Sequence, residues 1–129
     1  MRLLLDTSVL IDALRLRHRR RELLTELVQA GHTLATTALN VAEVYAGMRP
    51  NEAQRTEAFL GALECHDLTA TSGRRAGALK QQWGKKGRTL ALADMIVAAI
   101  ALELGCTLMT DNRKDFPMQE LDKFELSES

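Results

Sequence analysis

Three carboxylates, Asp6, Glu43 and Asp94, stand in segments where an acid is out of place. Asp94 is the only charged residue between Arg88 and Glu103, within the run Leu92-Ala93-Asp94-Met95-Ile96-Val97-Ala98-Ala99-Ile100. Burying it unpaired would cost several kcal/mol, so something must compensate it. Glu43 is alone in the mostly apolar stretch 38–48, and Asp6 closes the run Leu3-Leu4-Leu5 with no base beside it. Any one of them reads equally well as a helix cap or as the partner of a buried arginine. Together, with no basic residue in the same segments, they read as ligands of a shared cation, because hard cations take oxygen donors. Mg²⁺ or Mn²⁺ is the expected ion. A calcium loop would crowd its ligands into one short segment, and zinc would want clustered His or Cys, whereas His18, His32 and His66 are scattered and Cys65 and Cys106 lie far apart. Carboxylates holding one or two such cations activate water against a phosphodiester, with no need of a side-chain nucleophile. The chemistry expected is that of a metal-dependent nuclease.

The elements around these acids follow from periodicity and turn residues. Residues 2–5 form an apolar strand that runs into Asp6, Thr7 and Ser8, which favour a helix start. Residues 17–30 place Leu23, Leu24, Leu27 and Val28 on one helical stripe ending at Gly31. A strand is expected over 32–36 and a helix over 38–48 capped by Thr37; Pro50-Asn51 then separates it from a further helix bearing Phe59, Leu60 and Leu63, making a helical hairpin. A short strand over 65–68, a helix from Thr71 or Ser72 to about Trp83 and a basic turn at 84–87 come next. The helix from Leu90 is apolar on nearly every face and is therefore a buried one, ended by Gly105. Strands over 106–110 and 124–126 complete the chain. Strands alternating with helices predict an α/β fold with a parallel sheet covered on both faces, whose sites gather at the carboxyl ends of the strands. Asp6 and Asp111 each follow a strand directly, so both are expected on that rim.

A chain of 129 residues is the size of one domain, read here as a single unit over 1–129. With 46% hydrophobic and 26% charged residues it has globular composition and the apolar mass for a real core. Lys plus Arg and Asp plus Glu both number 17, so no net basic field draws in nucleic acid and any RNA recognition must be local. Two cysteines make no disulfide framework, and the start of the chain offers no room for a signal peptide. A soluble cytoplasmic protein without a membrane span is expected.

Four motifs in order cover almost the whole chain and together resemble the PIN-domain family, in particular the VapC-type toxins of toxin–antitoxin pairs. They are Leu3-Leu4-Leu5-Asp6-Thr7-Ser8-Val9-Leu10-Ile11-Asp12, Thr36-Thr37-Ala38-Leu39-Asn40-Val41-Ala42-Glu43, Leu92-Ala93-Asp94-Met95-Ile96-Val97-Ala98-Ala99, and Gly105 through Thr110-Asp111-Asn112-Arg113-Lys114-Asp115-Phe116. The resemblance implies a PIN-like three-layer α/β/α fold with a five-stranded parallel sheet. It implies a Mg²⁺- or Mn²⁺-dependent endoribonuclease acting on tRNA, rRNA or mRNA, a homodimer, and inhibition by a cognate VapB-type antitoxin. Carried over by position, Asp6, Glu43 and Asp94 match the acidic metal-site positions, and Thr7 or Ser8 is expected to hydrogen-bond the first of them. Where family members commonly have one further acid, this chain offers Asp111, Asn112 and Asp115. Asp111 and Asp115 are favoured jointly for catalysis, with Asp115 as the metal ligand. An antitoxin helix is expected along residues 38–63, and an antitoxin arginine can pair with the carboxylates that otherwise hold metal.

Other features have plainer readings. Asp12 reads as a surface or capping residue, and the charge run Arg15 to Arg21 as a solvated helix start. Trp83 reads as structural. Lys85, Lys86 and Arg88 flank the Asp94 helix and suit sequence-independent contacts to a phosphate backbone. A phosphoacceptor aspartate is the rival enzymatic reading. A haloacid-dehalogenase-type phosphatase would want a second aspartate where Ser8 stands, and a receiver domain an acidic pair where Leu3, Leu4 and Leu5 stand. The remaining alternative is a PIN domain of weak activity that only binds RNA or protein.

Overall fold

The computed structural model describes residues 1–126. Strand β1 (Arg2–Leu5) lies at the centre, parallel to β2 (Thr33–Thr37) on one side and to β4 (Thr107–Met109) on the other. Strand β3 (Glu64–His66) pairs with the outer edge of β2, giving the order β3-β2-β1-β4 with every pairing parallel. Leu3, Leu4 and Leu5 are all fully buried because β1 is covered on both faces; such a strand is apolar at every position. Its side chains alternate. Leu3 and Leu5 join a core with helices α1 (Thr7–Leu14), α2 (Arg20–Gln29) and α4 (Ala53–Gly61), while Leu4 joins a second core with α5 (Ala70–Lys85) and α6 (Leu92–Leu104). The three-layer α/β/α arrangement is therefore set by one short strand.

Helix α3 (Ala38–Ala46) follows β2 directly, with Thr37 Oγ1 accepting from the Asn40 amide at 3.1 Å as its cap. A 3-10 turn over Pro50–Glu52 separates it from α4. Helix α6 buries Met95, Val97, Ala98, Ala99, Ile100 and Ala101, and ends where Gly105 adopts a left-handed φ of 65°. No helix among the described residues is long and apolar enough to cross a membrane.

Three boundaries differ from the sequence expectation. The sheet has four strands among the described residues, and the strand expected over 124–126 is reduced to one parallel bridge between Leu108 and Lys123. The Phe124 carbonyl, where the ladder would continue, accepts from a side chain, and Lys123 Nζ gathers carbonyls of the segment before it. Lys123 Nζ donates to the carbonyls of Phe116, Met118 and Leu121 at 2.9, 3.3 and 3.4 Å, and Arg113 Nη1 donates to that of Phe124 at 3.2 Å. Helix α5 is capped by Thr69, whose Oγ1 accepts from the Ser72 amide at 3.1 Å, two residues before the expected cap. Helix α2 starts at Arg20, not at 17, because Leu16, His18 and Arg19 all stand at φ near +55° and break the helical run.

Candidate active site

The carboxyl end of β1 delivers Asp6 to the rim between β2 and β4, its amide donating to the Met109 carbonyl at 2.9 Å. Its side chain is buried, 6% exposed, and held from two directions. Thr110, one residue beyond β4, donates its Oγ1 to Asp6 Oδ2 at 2.7 Å, and Asn40 in the first turn of α3 donates Nδ2 to Oδ1 at 3.2 Å. Burial raises the carboxyl above its ordinary range, the hydrogen bonds from Thr110, Thr7 and Asn40 oppose that, and the charge of Glu43 adds to it.

Asn40 is fully buried and links this acid to the next. Its Nδ2 also donates to Thr7 Oγ1 at 3.0 Å, and Thr7 Oγ1 donates onward to Glu43 Oε1 at 2.7 Å. Thr37 Oγ1 closes the other end of the chain by donating to Asn40 Oδ1 at 2.6 Å. Every polar atom of the Asn40 amide group thus has a partner, the condition under which a buried polar network rigidifies its surroundings. The hydroxyl on Asp6 is that of Thr110; Thr7 serves Glu43, and Ser8 Oγ accepts from the Asp111 amide at 3.4 Å. Asn40 and Thr110 were not singled out as site residues in the sequence. The available signal was an amide three residues before Glu43, inside an apolar helix start.

Asp94 sits in the first turn of α6, half-buried. Its carboxyl is pushed up to about 6 by burial, then by the charges of Asp6, Asp115 and Glu43. Those causes are a map of what surrounds it: three other carboxylates from three separate segments, all making its ionisation harder. Among the described residues no ion pair involves Asp6, Glu43, Asp94 or Asp115.

Asp111 is placed differently. Its Oδ1 accepts from Arg20 Nη2 at 2.8 Å, and that guanidinium is 3% exposed, with Nη1 donating to the His18 carbonyl at 3.2 Å. Asp111 is not among the charges that raise Asp94. Asn112 precedes the 3-10 turn Arg113–Asp115, and its amide donates to Thr110 Oγ1 at 3.0 Å, so the turn that carries Asp115 hangs from the same hydroxyl that holds Asp6. Asp12 pairs with His18 Nδ1 at 2.8 Å, away from this group.

Four carboxylates without a paired cation form an oxygen-donor set suited to a hard dication. Among the described residues, however, no three Asp, Glu, His or Cys side chains stand close enough to ligate one ion together. The two facts agree for Mg²⁺, which keeps several of its waters and is held by one or two carboxylates. A separate apolar groove of about 700 Å³, lined by Leu24, Val28, Leu34, Phe59 and Leu63 among others, contains none of these acids.

The family model of the PIN domain matches residues 3–122. The chain belongs to the PIN-domain family. Ribonuclease VapC19 of Mycobacterium tuberculosis is 32% identical over 115 residues, covering 89% of this chain and 92% of that protein. Among solved structures, a VapBC2 complex of Rickettsia felis bound to a promoter DNA fragment matches this PIN domain with a TM-score of 0.85 at 23% identity, covering 96% of this chain and 98% of that one. A toxin–antitoxin complex from Klebsiella pneumoniae matches with a TM-score of 0.76 at 27% identity, covering 92% and 94%. The PIN fold and the α/β/α layering expected from the sequence are both present.

Proposed function

We propose that this chain is a Mg²⁺- or Mn²⁺-dependent endoribonuclease that hydrolyses RNA phosphodiester bonds, the toxin of a type II toxin–antitoxin pair. The observation that carries the reading is the placing of Asp94 among Asp6, Asp115 and Glu43 with no ion pair, among the described residues, to any of the four, its carboxyl pushed up to about 6 first by burial and then by those three charges. Carboxyls perturbed in this way cluster at functional sites, and a hard dication offsets the repulsion between them. Relatives named ribonucleases and structural neighbours that are toxin–antitoxin complexes support the same class.

Asp6, Glu43, Asp94 and Asp115 would line the ion's site, one or two of them in direct contact and the others through its waters, and the bound ion would supply Lewis acidity toward the phosphoryl oxygens and acidify water. Asp6 is the rigid member, oriented by Thr110 and Asn40. Glu43 is exposed and its Oε1 is steered by Thr7, which would present its other oxygen to an ion. Asp111 acts through Arg20 as a positioning residue for the turn that carries Asp115. The partner is a VapB-type antitoxin whose amphipathic helix lays its apolar face in the groove between α2, β2 and α4. That groove takes α4 from the stretch 38–63 and adds α2 and β2.

Cleavage of a panel of tRNA, rRNA and mRNA in Mg²⁺ tests the reading. Wild-type protein cuts at least one RNA, and Asp6→Asn and Asp94→Asn each lose activity by more than about a hundredfold, beyond the usual effect of outer-shell partners. Undiminished cleavage in both variants would remove these acids from the mechanism. The alternative is a PIN domain that binds RNA or protein without turnover. Wild-type protein that binds RNA but cuts nothing in either Mg²⁺ or Mn²⁺ would establish it.

A further inference from the structure

The turn between α5 and α6 carries cations that the acid site does not use. Lys85 ends α5, and the amides of Lys86 and Arg88 both donate to the Trp83 carbonyl at 3.0 Å, with Gly87 at φ 86° making the reversal possible. The turn is anchored further by its side chains. Lys86 Nζ stands 4.5 Å from the centroid of the Trp83 ring, which packs on the core beneath, and Arg88 Nη2 donates to the Lys114 carbonyl at 2.7 Å. That last bond joins the turn to the 3-10 segment Arg113–Asp115, next to one of the carboxylates that press on Asp94.

A carbonyl neutralises no charge. Lys85, Lys86, Arg88 and Lys114 are exposed, and among the described residues none of them forms an ion pair. The other basic run is partly engaged: Arg15 pairs with Glu52 at 3.3 Å and Arg20 with Asp111 at 2.8 Å, leaving Arg17, Arg19 and Arg21 on a segment tied to Asp111. With formal net charge zero, the whole molecule cannot attract a polyanion. A local group of like charges on a turn joined to the Asp115 segment can.

We propose that Lys85, Lys86, Arg88 and Lys114 form a ridge that receives the phosphate backbone of a single RNA strand, with Arg88 binding the phosphate nearest the acid site. The inference rests on the ribonuclease reading for its ligand. The contact is electrostatic and sequence-independent, so it sets affinity and register on the strand without choosing bases.

Binding of a short fluorescein-labelled oligouridylate tests it, measured by anisotropy in Mg²⁺ over a salt series, with all proteins carrying Asp94→Asn so that binding is read without cleavage. Adding Lys85→Gln, Lys86→Gln and Lys114→Gln leaves the Arg88 hydrogen bond in place. Affinity falls about tenfold or more, and the salt slope becomes shallower by about 2, at about 0.7 per phosphate contact on a single strand. Arg88→Gln alone weakens RNA binding while Mn²⁺ affinity in the otherwise wild-type chain changes little, which separates a phosphate contact from a displaced Asp115. The charge-matched control Arg17→Gln, Arg19→Gln and Arg21→Gln stays within about twofold. Equal losses in control and ridge variants would mean diffuse attraction and overturn the proposal, as would an unchanged slope. Ridge-dependent binding by a wild-type chain that cuts no RNA would reject the ribonuclease reading and leave the ridge standing.

Discussion

Asn40 and Asp94 have opposite roles at the residue scale. Asn40 has its amide fully engaged, so replacing it removes one of the hydrogen bonds that hold Asp6 and frees Thr7 from its donor. Asn40→Ala is expected to lower Mn²⁺ affinity about tenfold to a hundredfold, the range for partners that orient ligands. Asn40→Asp, which adds a fifth carboxylate, lowers metal-free stability further and leaves the chain more dependent on the ion; calorimetric titration and thermal melts with and without Mn²⁺ distinguish the two. Asp94 gives a pH signature. Its carboxyl titrates near 6 in the native chain against an ordinary value of 3.8, so the native state holds that proton more tightly than the unfolded one. Metal-free stability therefore declines as pH rises from about 4 to about 6 and levels off above, the reverse of a salt-bridged acid. Asp94→Asn removes that slope and raises metal-free stability at neutral pH by about 1 kcal/mol, the shift being discounted because the group is only half-buried. Below pH 6 a proton competes with the ion, so Mn²⁺ affinity falls about tenfold per pH unit. Melts and titrations across that range that show no pH dependence would contradict this account of Asp94.

At the scale of elements, the pieces that carry the acids were legible because their signals are local. An apolar run ending in Asp6, a capped helix with Glu43 inside and an apolar helix with Asp94 in its first turn each announce themselves in a few residues. What was not legible depends on contacts between distant segments. The start of α2 moved because residues 16, 18 and 19 take left-handed φ, and Arg20 then reaches Asp111, a pairing across 91 positions that no periodicity shows. The fifth strand stops at a single bridge, where the Phe124 carbonyl accepts from Arg113 Nη1. The Arg20 contact separates the candidates for the remaining acid. Asp111→Ala takes one partner from the buried Arg20 guanidinium and is expected to cost about 1–3 kcal/mol of stability with a modest change in Mn²⁺ affinity. Asp115→Ala is expected to do the reverse. Denaturant melts and metal titrations of the two variants show which description fits; loss of metal binding only in Asp111→Ala would exchange their roles.

For the whole molecule, the family membership was visible in four ordered motifs, because the sheet must bring the ends of β1 and β4 together for its core to close on Leu3, Leu4 and Leu5. The convergence of Asp6, Glu43, Asp94 and Asp115 is a property of that closure and of no single segment. It places like charges in one another's field without a compensating base, and the account assigns their relief to a divalent cation. Mn²⁺ titration at neutral pH, followed by electron paramagnetic resonance, tests this most directly when wild type is compared with the Asp6→Asn/Asp94→Asn double variant and circular dichroism verifies that both are folded. The account predicts saturable Mn²⁺ binding by the wild type that is lost in the double variant. Equal binding by both, or none by the wild type, would contradict it.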